Sequence, residues 1–364
     1  MGIFDRKPKV IEAQYAPQVM GENMPSLYNA IVARVSRHDA MTVPSVARAR
    51  NLICGTVASI PLEYYKTSTG EVIAPPRWIK QLSKNQPSFI TLSWIVDSLL
   101  FYGVSYLLVT DRYSEDGRPA NFEWVANSRV TFTTDLEGIM VTQYYIDMTP
   151  VSMNDIVTIQ GFDEGVLDRS GRTIQAAIDV DRAAALNSAN PQPAGFLKNS
   201  GADLPPNEVQ GLISAWKRAR QNNSTAYLTS TLDYSPVSFS PKDMMYNEAV
   251  QNLSTQIARA MNVPAYYLSA DQNTTMTYAN VQDERKQFYA LSIEPYVQAI
   301  QSRMSMDDIS TAGHEVKFCV GDTFLKQDPL VEIQVLEKLL SLGLITTEQA
   351  MAMTDLTPNG SEGL

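Results

Sequence analysis

Gln256-Ile257-Ala258-Arg259-Ala260-Met261-Asn262-Val263-Pro264 closes the stretch on which the fold turns. Upstream of it, Met245, Ala249, Leu253, Ile257 and Met261 recur every four residues, the spacing that stacks side chains on one helical face. A helix is therefore predicted from Asp243 to Met261. Pro264 ends it, because proline lacks an N–H and pushes the residue before it out of helical conformation. The apolar stripe is narrow, which suits a helix packed in a ring or bundle as well as one buried in a core.

Working outward, Thr173 to Ala189 is an alanine-rich helix stopped by Asn190-Pro191. Between the two helices lie a short strand at Gly195 to Lys198 and a helix opened by Pro205-Pro206, carrying Val209, Leu212, Ile213 and Trp216. A second strand is expected from Ala226 to Leu232, with Ser235 to Ser240 leading into the next helix. Downstream, Ser269 to Thr277 is polar and without period, and Tyr278 to Met304 is a long helical pattern. Pro295 lies inside that pattern, so a kink or break is predicted near Glu294. His314 to Cys319 reads as a strand and Pro329 to Leu342 as a helix. Gly343 stops that helix and Thr346 caps the next, Thr347 to Met353.

The first half is different in kind. Residues 1–40 lack sustained periodicity and read as a loose arm, with His38 in a loop. Pro44 then occupies a first helical position, followed by Val46, Ala49, Ile53 and Val57 at helical spacing. A strand at Ile60 to Lys66 and a short helix marked by Trp78, Ile79 and Leu82 precede a second strong helix, Thr91 to Tyr102. That helix has Trp94, Ile95, Ser98, Leu99 and Tyr102 on one stripe, and Gly103 is placed to end it. Short strands follow at Ser105–Asp111, Phe122–Val125, Val130–Thr133, Met140–Ile146 and Ile156–Ile159, divided by polar turns. The fold class is α+β, with helices leading into a meander.

Composition bounds the function. The chain has 364 residues, 44% hydrophobic and 19% charged, which is incompatible with global disorder and long enough for two or three substructures. Net charge is −10. From Met306 onward there are ten acids and three lysines, which places −7 there and leaves −3 for the rest. A chain this acidic is a poor candidate for wrapping DNA by neutralising phosphates, which excludes avid nucleic-acid binding as its main role but not contact with it. Cys54 and Cys319 stand far apart without metal spacing and read as small buried apolar residues. The N-terminus has no signal-peptide core, and the longest apolar stretch, Leu99 to Val109, is only about half a membrane span. The expectation is a soluble protein with no membrane partner.

No nucleophile elbow, phosphate loop, HExxH or dinucleotide fingerprint occurs. His38 and His314 have no companions at catalytic or ligand spacing. Asp163, Glu164 and Asp168 form an acidic cluster from which a metal-dependent enzyme is conceivable. Asp179 and Asp181 cannot complete it, being two apart on a helix and facing different sides. The expectation is a non-enzyme without a cofactor. Lys217, Arg218 and Arg220 stand out as a basic group at the end of the Trp216 helix. They fit either a solvated helix end or contact with a phosphate or protein partner. Tyr64-Tyr65, Tyr144-Tyr145 and Tyr266-Tyr267 fall in or beside strands and read as packing residues, not base-stacking platforms.

Taken in order, these pieces resemble the tailed-bacteriophage portal proteins of the HK97-like family. The resemblance rests on Val46 to Ile53, Thr56 to Leu62, Asn85-Gln86-Pro87-Ser88, Tyr102 to Leu107 and Phe122 to Val125. It continues through Asp203 to Pro206, Gln256 to Pro264, Tyr278 to Gln287, Ile293 to Tyr296 and Leu342 to Ala350. It implies a portal fold with an α+β wing (41–172), a stem helix (173–190), a small α/β clip (191–240) and a second stem helix (241–264). Residues 265–328 become the tunnel loop, a long kinked helix and a return to the wing, and 329–364 a short helical crown. It implies a tunnel loop of Ser269, Asp271, Gln272, Asn273, Thr274, Thr275, Met276 and Thr277, and a clip contact through Lys217, Arg218 and Arg220. The implied assembly is a homododecameric ring in the virion, at the capsid portal vertex. Its partners would be the major capsid protein, the terminase large subunit and a head–tail adaptor, with double-stranded DNA as cargo. Another oligomeric virion component, such as an adaptor, is the second alternative. An acidic channel lets DNA slide where a basic one would hold it, and the −7 after Met306 becomes an expected acidic collar at the crown.

Overall fold

The computed structural model describes residues 10–12, 35–135, 137–138, 140–189, 195–201, 204–221, 230, 232–236, 246–268, 284–321 and 329–353. Among these residues, helices and four small sheets make up the α+β architecture. Its centre is the pairing of α2 (Pro44–Ser59) with α4 (Ser88–Tyr102). Pro44 sits in the first turn of α2, and Val46, Ala49, Ile53 and Val57 are all fully buried, as the spacing predicts. The α4 helix starts earlier than expected, and the single stripe proves too narrow. Thr91, Leu92 and every residue from Ile95 to Phe101 are buried, the mark of a helix enclosed by other elements on nearly every side.

Before α2, α1 (Arg37–Ala40) holds His38 in a helix, not a loop. Val35 and Ala40 are buried in the main core. One buried carboxylate ties these helices together. Asp97 of α4 receives Arg37 Nε at 2.7 Å, Arg37 Nη2 at 2.8 Å and Arg50 Nε at 2.6 Å. Both guanidinium groups also lie over the Trp94 ring, at 5.0 and 5.3 Å. The hydrogen bonds to Asp97 raise the Arg37 pKa above its ordinary value.

The strands β3 (Val104–Arg112), β4 (Pro119–Val125) and β8 (Ile156–Gln160) form an antiparallel sheet in the order β4-β3-β8. A second sheet, β1-β5-β6-β7, combines β1 (Val10–Glu12), β5 (Val130–Thr134), β6 (Val141–Ile146) and β7 (Thr149–Val151). Val104, Tyr106, Val125, Val130, Phe132 and Ile156 make a smaller core where the two sheets meet. The β1 and β7 strands were not expected. Both are three residues long and β7 contains Pro150, so neither carries a readable alternation.

The chain returns to this body after residue 284. Strand β11 (His314–Phe318) pairs antiparallel with β2 (Leu62–Lys66), matching His314 to Lys66 and Phe318 to Leu62. Ring stacking of His314 on Tyr64, at 5.4 Å, accompanies that pairing. Cys54 lies fully buried in α2, and burial drives its thiol pKa well up. Cys319 is only partly buried.

Candidate functional site: two long helices and the segments they carry

Helix α5 (Val166–Ala189) leaves the body through a three-glycine crossing. Gly161 donates its N–H to the Gly103 carbonyl at 2.7 Å. Gly103 (φ +70°) and Gly165 (φ +90°) bring the two backbones so close that neither tolerates a β-carbon. The helix starts at Val166, not Thr173, and bends at Ser170, whose φ and ψ are −131° and 15°. Its turns before the bend therefore belong to what the sequence presented as loop.

The partner of α5 is α7 (Tyr246–Ala260). Of the four-residue stripe, Ile257 and Met261 are buried in the main core and Ala249 and Leu253 are partly covered; Met245 lies outside the described residues. Asn262, not Pro264, terminates the helix. It adopts the left-handed conformation (φ +54°), the Val263 N–H reaches back to Ala258 O at 2.9 Å, and the Asn262 N–H to Arg259 O at 3.2 Å. This is the paired closure that left-handed residues allow, with proline just beyond it. Arg169 adds a further cap, donating Nη2 to Ala260 O at 2.7 Å while its Nη1 pairs with Asp163.

The predicted break before Glu294 is present as a π-helical turn, Tyr289–Ile293, leading into α8 (Glu294–Met304). Pro295 has no N–H to offer the Leu291 carbonyl four residues back. Asn262 Nδ2 donates to that carbonyl instead, and Ser292 Oγ donates to Asn262 O. Thus the end of α7 and the bend of the following helix are one hydrogen-bonded joint. It borders a cleft of about 520 Å³ lined by Phe162, Arg169, Arg259 and Tyr296, among others.

Between α7 and that bend lies the polar segment Ser269 to Thr277, which falls outside the described residues with its flank to 283. The described residues on either side of it touch one another. Tyr266 and Tyr267 sit in a 3₁₀ turn, Ala265–Leu268, not beside a strand. The Tyr267 ring lies 4.5 Å from that of Tyr266 and 5.0 Å from Phe288, beyond the segment's far end. Arg48 Nε donates to Tyr267 O at 3.3 Å.

Between α5 and α7 the chain forms β9 (Gly195–Asn199), α6 (Pro206–Gln221) and β10 (Leu232–Pro236). The described second strand begins at Leu232, where the expected Ala226–Leu232 ends; the rest of that span lies largely outside the described residues. The strand pairs antiparallel with β9, from Leu232 opposite Asn199 to Pro236 opposite Gly195. Ser235 therefore belongs to the strand and not to a lead-in. Lys217, Arg218 and Arg220 occupy the last turns of α6. Arg218 is exposed and its Nε reaches Ser214 O at 3.5 Å; the side chains of Lys217 and Arg220 lie outside the described residues.

The acidic cluster has other employment. Asp163 accepts the Gly165 N–H at 2.9 Å and pairs with Arg169, and Asp168 lies in the first turn of α5. Among the described residues, no three His, Cys, Asp or Glu side chains gather as a metal site. No helix among them is long and apolar enough to cross a membrane.

These features are mechanical and define a class. Two long helices flank a small sheet-and-helix unit, and apolar side chains stand exposed on all three helices of this region. Leu186 on α5 is 61% exposed, Val250 on α7 47% and Ile213 on α6 43%. Residues 44–355 match the phage portal protein family, and the chain belongs to it. It is a portal subunit, a structural component of the capsid vertex. The probable portal protein of Streptomyces phage phiC31 is 21% identical, over 92% of this chain and 80% of its own length. Among solved structures, an HK97-family portal protein from Corynebacterium diphtheriae superposes with a TM-score of 0.66 at 24% identity, covering 83% of this chain and 98% of that one. A chain from the neck of a native gene transfer agent particle, computed with C12 symmetry, gives a TM-score of 0.55 at 19% identity, covering 91% and 98%. Both structures share the fold.

Proposed function

We propose that copies of this chain close into a ring, twelve by resemblance, around a channel for double-stranded DNA. In this reading α5 and α7 form the stem, and the unit from 195 to 236 is the clip that meets the terminase large subunit and later the head–tail adaptor. The body around α2 and α4 is the wing facing the major capsid protein. Residues 269–277 form the tunnel loop, and 329–364 a short crown with an acidic collar.

The carrying observation is the clasp. Tyr267 and Phe288, which flank the segment 269–283, meet with their rings tilted and 5.0 Å apart, and Asn262 joins the end of α7 to the bent helix nearby in sequence. A polar segment whose flanks meet can narrow a channel without gripping phosphate, since Ser269 to Thr277 contains no Lys or Arg. The test is DNA packaging into capsids built with this chain. A bulky maleimide on Asn273→Cys, in a Cys319→Ser background, is expected to block packaging while rings and capsids form normally. Lys217→Glu/Arg218→Glu/Arg220→Glu is expected to abolish terminase or adaptor binding on intact rings. Normal packaging with the label in place would refute the loop's role, and normal partner binding by the triple variant would refute the clip contact.

A further inference from the structure

The helix α9 (Pro329–Ser341) turns back on α10 (Thr347–Met353) through a tight closure. Gly343 is left-handed (φ +67°), the Leu344 N–H bonds Leu339 O at 3.0 Å and the Gly343 N–H bonds Leu340 O at 3.0 Å. Thr346 and Gln349 exchange side-chain-to-backbone bonds at 3.2 and 3.0 Å, the reciprocal cap at the start of α10. This hairpin leaves α9 with an unusual surface. Its inward residues are Leu336, buried, and Leu339, partly buried. At about 100° per residue, Ile333 and Leu340 share one flank, 53% and 37% exposed, and Val335 and Leu342 share the other, 49% and 65% exposed. The two flanks lie about 140–180° apart, one on each side of the inward Leu336 and Leu339. Gln334, Glu337, Lys338 and Ser341 occupy the outward arc and are all exposed.

Resting on the ring reading, we propose that α9 is shouldered on both flanks by second copies of itself, the Ile333/Leu340 flank of one chain against the Val335/Leu342 flank of the next. Two different stripes on opposite sides are what a head-to-tail contact repeating around a closed ring requires. Charge fits the same direction. Glu337 borders the Ile333/Leu340 flank and Lys338 borders the Val335/Leu342 flank. Seating one flank on the other sets Glu337 of one chain beside Lys338 of its neighbour, with opposite charges at every contact.

The experiment follows ring formation by the full chain against protein concentration, using mass photometry, with circular dichroism confirming the fold. Because the four apolar residues are exposed in the single chain, their substitution leaves the subunit folded. Ile333→Glu/Leu340→Glu and Val335→Glu/Leu342→Glu are each expected to raise the concentration for half-assembly by about tenfold or more. Glu337→Lys or Lys338→Glu alone raises it less, and the combined exchange restores it to the wild-type value, because the pairing is recreated between chains. Wild-type assembly by both flank variants, or no rescue by the combined exchange, overturns the proposal while leaving the ring reading intact. Failure of the unsubstituted chain to form rings overturns the ring reading itself.

Discussion

Alanine at Gly103 or Gly165 and alanine at Gly55 or Gly211 are the same chemical change with opposite expected signs. A β-carbon at Gly103 would lie 2.3 Å from Asp163 O and 2.7 Å from Glu164 C; one at Gly165 would lie 2.6 Å from Phe101 O and 2.7 Å from Gly103 N. All four neighbours are backbone, so relief requires the two chain segments to part by about 1 Å, which costs roughly 1–3 kcal/mol as overpacking. The left-handed φ of +70° and +90° adds about 1–2 kcal/mol for any residue with a β-carbon. The expected loss is therefore about 2–5 kcal/mol at either position. Gly55 in α2 and Gly211 in α6 have nothing within 4 Å of the added carbon, and there alanine gains up to about 1 kcal/mol in helix propensity. Thermal unfolding of the four variants reads the contrast, at about 2–4 °C per kcal/mol. Gly103→Ala and Gly165→Ala should lower Tm by about 5 °C or more, while Gly55→Ala and Gly211→Ala hold or raise it. Equal, small shifts at all four positions would refute the backbone crossing as the joint between the body and α5.

Asp97→Ala should cost about 3–5 kcal/mol by stranding Arg37 and Arg50, read as a lowered urea midpoint; an unchanged midpoint contradicts the role given to that carboxylate. Asn262→Ala should lose about 1–3 kcal/mol, through the Leu291 carbonyl it leaves unpaired. In a Pro295→Ala background, which supplies the missing N–H, that loss should shrink, and a double-mutant cycle with no coupling counts against the joint. Arg303 donates Nη1 and Nη2 to Asp308 at 2.9 and 2.8 Å and holds its carboxyl below the usual range. A lowered folded-state pKa stabilises above the unfolded value and is lost on acidification. Wild type should thus lose stability below about pH 4 more steeply than Asp308→Asn, and identical acid limbs would rule the linkage out.

Elements with strong local signals were legible. Pro44 and the Val46–Val57 spacing gave α2, Gly103 the end of α4, and Gly343 with Thr346 the α9–α10 turn, because each depends on residues within a turn or two. The order of helices around Gln256–Pro264 carried the family. What stayed hidden depends on distant partners. Strand β10 reads Leu-Asp-Tyr-Ser-Pro, an alternation only five residues long that ends in a proline, and is placed by its pairing with β9. The near-total burial of α4 reflects the elements packed around it, which a one-dimensional stripe cannot count. Asn262 was missed as a joint, although Pro295 announced that Leu291 needed a donor from elsewhere. The Tyr267–Phe288 clasp joins residues on either side of the polar segment, a closeness that no local spacing reports.

The central claim is that this chain is one subunit of a closed ring around a channel. Negative-stain electron microscopy of the purified full chain, alone and with capsid protein, tests it most directly. The account predicts closed rings with a central stain-filled channel; monodisperse monomers at high concentration under both conditions would contradict it.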